Sequence, residues 1–223
     1  MITNYLSDMS DVLIKGIGET LFMTIAATLI SYLFGLILGI ILNITDKNGI
    51  WECRVVNIIL GVIVNIFRSI PFLILVVFVM PVTKFIVGSR IGTVATIVPL
   101  SIGSIPFVAR MVESSLKEVP YGLIEASKSM GATKWQIITK VLLPEARASL
   151  MVGFAISITT ILSYSAMAGF MGGEGLGKIA VDYGYYRSKT SVMFISVILL
   201  VVLVQLFQTL GTFISKKIDK RIK

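Results

Sequence analysis

Apolar residues fall into five long blocks along the chain, separated by short polar stretches. They run from about Leu21 to Leu42, Val55 to Val82, Ile91 to Met111, Leu150 to Phe170 and Val192 to Ile214. A bilayer core about 30 Å thick needs roughly 20 apolar residues per helical span, and each block meets that length. The second block is too long for one straight span and too short for two, and it contains Arg68 and Pro71. Pro71 removes a backbone donor and crowds the preceding turn, so one kinked or tilted helix is the economical expectation. A short extra element near the N-terminus or around Pro71 would change the count. The pattern predicts an all-α membrane protein with five transmembrane helices.

Composition strengthens this reading. Of 223 residues, 56% are hydrophobic and 14% charged, whereas a soluble domain carries about 25% charged residues. A water-soluble globule is excluded, and the stretches between blocks are too short for a separate soluble domain. The net charge of +8 would suggest nucleic acid on a soluble domain. Here it is explained by the cytoplasmic bias of Lys and Arg, so no nucleic-acid partner is expected. An odd number of spans puts the termini on opposite faces. With the C-terminus inside, the cytoplasmic segments hold Lys47, Arg54, Arg110, Lys117, Lys128, Lys134, Lys140, Arg147, Lys216, Lys217, Lys220, Arg221 and Lys223. Only Lys15, Lys84, Arg90, Lys178, Arg187 and Lys189 then lie outside. The predicted orientation is N-terminus outside, C-terminus in the cytoplasm. The Lys-rich tail from Lys216 reads as a stop-transfer and lipid-headgroup anchor.

The chain has no histidine and a single cysteine, Cys53. These absences remove the usual zinc site, the Cys–His nucleophile, the imidazole base and any internal disulfide. No catalytic residue, metal or bound cofactor is expected. Asp8 and Asp11 stand where a cleavable signal would carry basic residues.

The longest predicted cytoplasmic stretch, about Val112 to Glu145, is neither apolar enough to span nor polar enough to be disordered. Tyr121 to Met130 reads as a short helix, and Gly131 interrupts it as a helix C′ glycine does. Thr133-Lys134-Trp135-Gln136 fits a capping box opening a second helix. That helix carries Trp135, Ile138 and Leu142 at three- and four-residue spacing and is expected to end near Pro144. Two short helices joined by a tight turn are expected. An interfacial amphipathic hairpin is the plainer alternative.

Glu125-Ala126-Ser127, three residues, Gly131, nine residues, Val141-Leu142-Leu143-Pro144 resembles the EAA loop of ATP-binding-cassette importer permeases. The family pattern has Ala where Ser127 stands and Ile where Val141 stands. Asn65-Ile66-Phe67-Arg68-Ser69-Ile70-Pro71-Phe72, Ile97-Val98-Pro99-Leu100, Pro106-Phe107-Val108-Ala109-Arg110-Met111-Val112-Glu113 and Tyr164-Ser165-Ala166-Met167 resemble the methionine-uptake subfamily. The resemblance covers about residues 17–211 and implies a type I permease domain over that range, with the loop at about 112–145. It further implies a homodimer and two cytoplasmic ATPase subunits that bind the ATP and Mg. An extracytoplasmic methionine-binding protein or lipoprotein would deliver substrate. The alternative cargo is another small amino acid or a short peptide. In this family the loop meets the ATPase, which assigns Glu125, Ala126, Ser127, Gly131, Leu143 and Pro144 to coupling. Gly131→Asp is expected to uncouple transport by clash and a buried charge.

Other features are read beside their plain alternatives. Gly172-Gly173-Glu174-Gly175-Leu176-Gly177-Lys178 matches the start of a phosphate-binding loop. Ile179 stands where Ser or Thr would hold Mg, and a span rather than a strand precedes it; a flexible external turn is expected. Ser157, Thr160, Tyr164 and Met167 share one helix face, a candidate translocation path, with helix packing as the bland reading. Arg68 is the one basic residue well inside a span. Bonding to carbonyls freed by Pro71 is the first reading of it, and substrate contact the second. Arg110 and Glu113 read as a surface pair. An ion-driven secondary transporter would need intramembrane carboxylates. All acids but Glu19 lie outside the spans or at their edges. A scaffold without transport leaves the Glu125–Pro144 pattern unexplained.

Overall fold

The computed structural model describes residues 2–218, with side chains from Met9 onward. Lys220, Arg221 and Lys223 of the predicted tail anchor lie outside the described residues. The described residues are mostly helical, without a strand among them. In chain order the helices are α1 (Ile2–Thr45), α2 (Arg54–Ser69), α3 (Phe72–Val87), α4 (Thr93–Lys117), α5 (Tyr121–Ser129), α6 (Lys134–Ile137), α7 (Leu143–Ala168), α8 (Leu176–Ile179) and α9 (Thr190–Ile218). A π turn at Ile138–Leu142 joins α6 to α7, and a second at Ala180–Tyr186 follows α8.

Four stretches are long and apolar enough to cross a bilayer: Met9–Thr45, Thr93–Lys117, Lys134–Met171 and Thr190–Ile218. The bent pair α2–α3 makes a fifth if it is one span. The expected kink at Pro71 is in fact a break, since the two helix axes differ by 109°. Two helices form because Pro71 supplies no N–H and sits at the α3 N-cap, where its carbonyl accepts from Ile74 and Leu75. Pro at a helix start costs nothing, whereas inside a helix it breaks the ladder. Among the described residues the first span is part of one continuous helix, α1, of 44 residues, about 66 Å.

The chain forms two compact units. One comprises Ile70–Ser104 and Ile158–Phe207 with the chain up to Ile30. Its core is built on Met23, Ala27, Leu100 and Ile161, and on Leu162, Leu176, Ile179, Val192 and Leu203. Phe72 stacks on Tyr164 with centroids 4.4 Å apart and planes 6° off parallel.

The other unit comprises Ser31–Ser69 and Ile105–Ser157 with the chain from Gln208. Its core joins Ile44, Val108, Val112 and Leu116 to Ile137, Ile138, Leu142 and Ala146. Gly35 and Gly39 let α1 close on α4. A Cβ on either would come within 2.6 Å of Val108 or Val112 side-chain atoms. Small residues four apart commonly serve this role in bilayers, where apolar burial gives helices little reason to associate.

Candidate functional site

The polar loop between α4 and α7 folds as two short helices at an elbow. α5 ends in a Schellman motif: Ala132 N–H donates to Ser127 O (3.1 Å) and Gly131 N–H to Lys128 O (3.0 Å). That closure needs a left-handed residue at C′, and Gly131 has φ +80°. The capping box forms as the sequence predicts. Gln136 N–H donates to Thr133 Oγ1 (3.3 Å), and Thr133 N–H donates to Gln136 Oε1 (2.8 Å). Glu125 and Ala126 are exposed, while Ser127 is buried and donates to Leu123 O at 2.7 Å. Gly131 has open space around it, so the clash expected for Gly131→Asp has no partner within this chain. Its role here is conformational.

One expectation for the second helix is corrected. It does not end near Pro144 but runs on through the π turn into α7 as one stretch, Lys134–Met171. The wider turn accommodates the proline, and Leu143 N–H reaches back five residues to Ile138 O. Trp135 does not join the buried face and is 71% exposed, while Ile137, Ile138 and Leu142 pack inward. The π turn adds a residue per turn and so rotates that face. The elbow therefore presents Tyr121, Leu123, Glu125, Met130 and Trp135 outward, with Leu143 half-buried and Pro144 exposed.

The expected surface pair Arg110–Glu113 is instead the centre of a network around one buried carboxylate. Glu113 is 6% exposed and accepts from Arg110 at 2.6 Å and from Lys117 at 2.9 Å. Lys117 also pairs with Asp46 at 2.8 Å, at the end of α1. Arg110 donates onward to Asn65 Oδ1 (2.9 Å) and Gly61 O (3.2 Å) on α2. Three helices are thus tied beside the elbow. The Lys117 hydrogen bond holds the Asp46 carboxyl below its usual range. Spacing reveals the pair, but the remote members Asp46, Gly61 and Asn65 are visible only in three dimensions.

The candidate path residues differ in exposure. Ser157 is fully buried and donates to Gly153 O at 2.7 Å, the plain packing role. Thr160 and Tyr164 are half-buried, and Met167 is 45% exposed. Met167 borders a wholly apolar cavity of about 370 Å³ with Phe170, Val181, Met193 and Val197. Arg68 does not bond the carbonyls near Pro71. Its side chain is exposed, without a hydrogen bond or ion pair among the described residues.

The segment resembling a phosphate loop is not a flexible turn. Gly173, Gly175, Leu176 and Gly177 are buried. Gly175 N–H donates to Glu19 Oε2 (3.1 Å) and Leu176 N–H to Thr20 Oγ1 (2.9 Å). Glu19, the acid inside the first apolar helix, thus has a local partner. The glycines are there for close packing, with no cradle left for phosphate.

The profile of the family described as binding-protein-dependent transport system inner membrane component matches residues 35–223. This chain belongs to that family. Its members are multi-pass inner-membrane permeases, and the all-helical fold here is the type I permease fold. A probable D-methionine transport system permease of Vibrio cholerae is 50% identical over 95% of this chain and 94% of its own length. A methionine import system permease of Bacillus subtilis is 42% identical over 81% and 82%. A solved structure titled as inward-facing conformations of a methionine ABC transporter superposes with TM-score 0.94 at 45% identity. It covers 96% of this chain and 99% of its own.

Proposed function

We propose that this permease is the membrane subunit of an ATP-driven importer of D- and/or L-methionine. The names of the curated relatives and of the solved structure support the cargo. The Lys and Arg bias supports an N-terminus outside and a C-terminus in the cytoplasm, which turns the α5–α6 elbow to the cytoplasm. Two copies of the chain form a homodimer that suits a symmetric pair of ATPases. The permease hydrolyses nothing; the partner ATPases bind ATP and Mg. An extracytoplasmic methionine-binding protein or lipoprotein delivers substrate, and membrane lipid surrounds the spans.

The observation that carries the mechanism is the elbow fused to a span. Exposed Glu125, Tyr121, Met130 and Trp135 offer a carboxylate and apolar anchors to an ATPase groove. Small Ala126 permits close approach, and Gly131 sets the turn that holds it outward. Because α6 passes without interruption into α7, displacement of the elbow is displacement of the helix that bears Thr160, Tyr164 and Met167. A floppy loop would dissipate that motion. Tyr164 and Met167 line the substrate path, and Ser157 packs behind it.

The test is uptake of labelled methionine in cells lacking this gene and complemented with it. Restored uptake, competed by unlabelled methionine, supports the cargo. Insertion without restored uptake counts against methionine.

A further inference from the structure

Helix α2 is two-faced along its whole length. Val55, Ile59, Val62 and Ile66 recur at three- and four-residue steps and are 51–66% exposed, a stripe suited to lipid. On the opposite side Arg54, Asn57, Gly61, Asn65 and Arg68 recur at the same spacing. The middle of this polar stripe is taken up by its own unit. Asn57 donates to Leu42 O (2.7 Å), while Gly61 O and Asn65 Oδ1 accept from Arg110. Val64, one turn before Arg68, is 3% exposed. Arg68 continues this inward line, yet its guanidinium is open and unpaired among the described residues. It lies about 21 Å along the helix from Arg54; with Arg54 at the cytoplasmic edge, as the proposed topology has it, that is deep in a bilayer core about 30 Å thick.

An unpaired cation at that depth is costly against lipid and is normally turned to a partner or a water-filled cavity. Arg68 lies off the lipid stripe, and a water-filled path is the surrounding that suits an unpaired charge on that side. We propose that Arg68 is an anion-recognition site of the translocation path, binding the carboxylate of the amino acid in transit. The inference rests on the import reading above and deepens it. A guanidinium grips a carboxylate in a two-pronged hydrogen-bonded pair. It thereby fixes the charged end of the cargo and leaves the side chain to apolar walls. Its single positive charge is enough to orient a zwitterion without trapping it.

The test uses the complete transporter, with its ATPase and binding protein, reconstituted in vesicles. The native thiol is first removed by Cys53→Ser, and Arg68→Cys is placed in that parent. Uptake of methionine by Arg68→Cys is expected to fall by about tenfold or more, the scale of a lost charge-assisted pair. Two water-borne methanethiosulfonates of similar size, one aminoethyl and one sulfonatoethyl, then add opposite charges at the same atom. The aminoethyl adduct should recover uptake and the sulfonatoethyl adduct should not. Methionine present during turnover should slow the labelling, whereas a lipid phosphate on Arg68 would leave it insensitive to methionine. Arg68→Lys should retain more uptake than Arg68→Gln.

Equal effects of the two adducts, a thiol that does not react, or wild-type uptake by Arg68→Gln would each overturn the site. Failure of both Arg68→Cys and Arg68→Lys to assemble would assign Arg68 to architecture and overturn it too. If the wild-type transporter itself takes up no methionine, the import reading fails and the carboxylate site falls with it. An active parent with no charge effect at position 68 sinks the site alone.

Discussion

Two of the segments that interrupt the apolar helices, the α5–α6 elbow and Gly169–Tyr186, use glycine for opposite reasons. In the α5–α6 elbow Gly131 stands in open space and is needed only for its φ of +80°. In the Gly169–Tyr186 segment, a Cβ on Gly169 would come within 2.6 Å of the Gly177 carbonyl carbon. One on Gly177 would come within 2.6 Å of Ala166 Cα. The first segment is shaped to stay outside and expose side chains. The second is shaped to sink its backbone into the helices around it. A surface meant for a partner needs a defined form without internal occupancy, and the elbow has that form. The outer segment spends its polar groups on its own unit, through Glu19 and Thr20.

The contrast is easiest to break at Gly177. Gly177→Ala drives a methyl into the Ala166 backbone, so overpacking should cost about 3 kcal/mol or more. The purified permease should melt lower and accumulate poorly in membranes. Gly131→Val should leave melting almost unchanged. A β-branched residue pays about 1–2 kcal/mol in the left-handed region, which should distort the elbow and lower methionine uptake about tenfold. Gly131→Asn tolerates that φ and should keep most uptake, which separates backbone shape from side-chain volume.

Smaller effects sharpen the picture of the elbow. Thr133→Ala removes half of the capping box, worth about 1 kcal/mol, and should lower uptake a few-fold with normal insertion. The smallest effect is at Asp46, whose carboxyl titrates below its usual range because of Lys117. A depressed carboxylate stabilises above its unfolded pKa of about 3.9, and that contribution is lost as pH falls through the lower folded value. The permease should therefore lose a small part of its thermal stability below about pH 4, and Asp46→Asn should abolish that part. Melting curves between neutral and acid pH read it directly.

What was legible in the sequence follows from how local each signal is. Apolar blocks, the capping box and the C′ glycine are set by neighbours within a few residues, and all of them appear in the fold. The fate of Pro71 and Pro144 was not legible, because a proline starts a helix, breaks one or sits beside a π turn according to its packing. Trp135 keeps the predicted spacing from Ile138 and Leu142 yet is exposed, because spacing does not say where the buried face ends. The Gly172–Lys178 segment looked loose because glycine reads as freedom in a sequence and as contact in a core. The Asp46–Lys117–Glu113–Arg110–Asn65 network joins three helices distant in sequence, so spacing gave only the Arg110–Glu113 member.

ATP-driven methionine uptake into vesicles containing the whole transporter, compared between wild type and Gly131→Val, tests the central claim most directly. If the elbow couples ATPase to permease by its shape, the variant should insert and melt like wild type yet lose most of its uptake. Full uptake by a correctly inserted Gly131→Val would contradict that role.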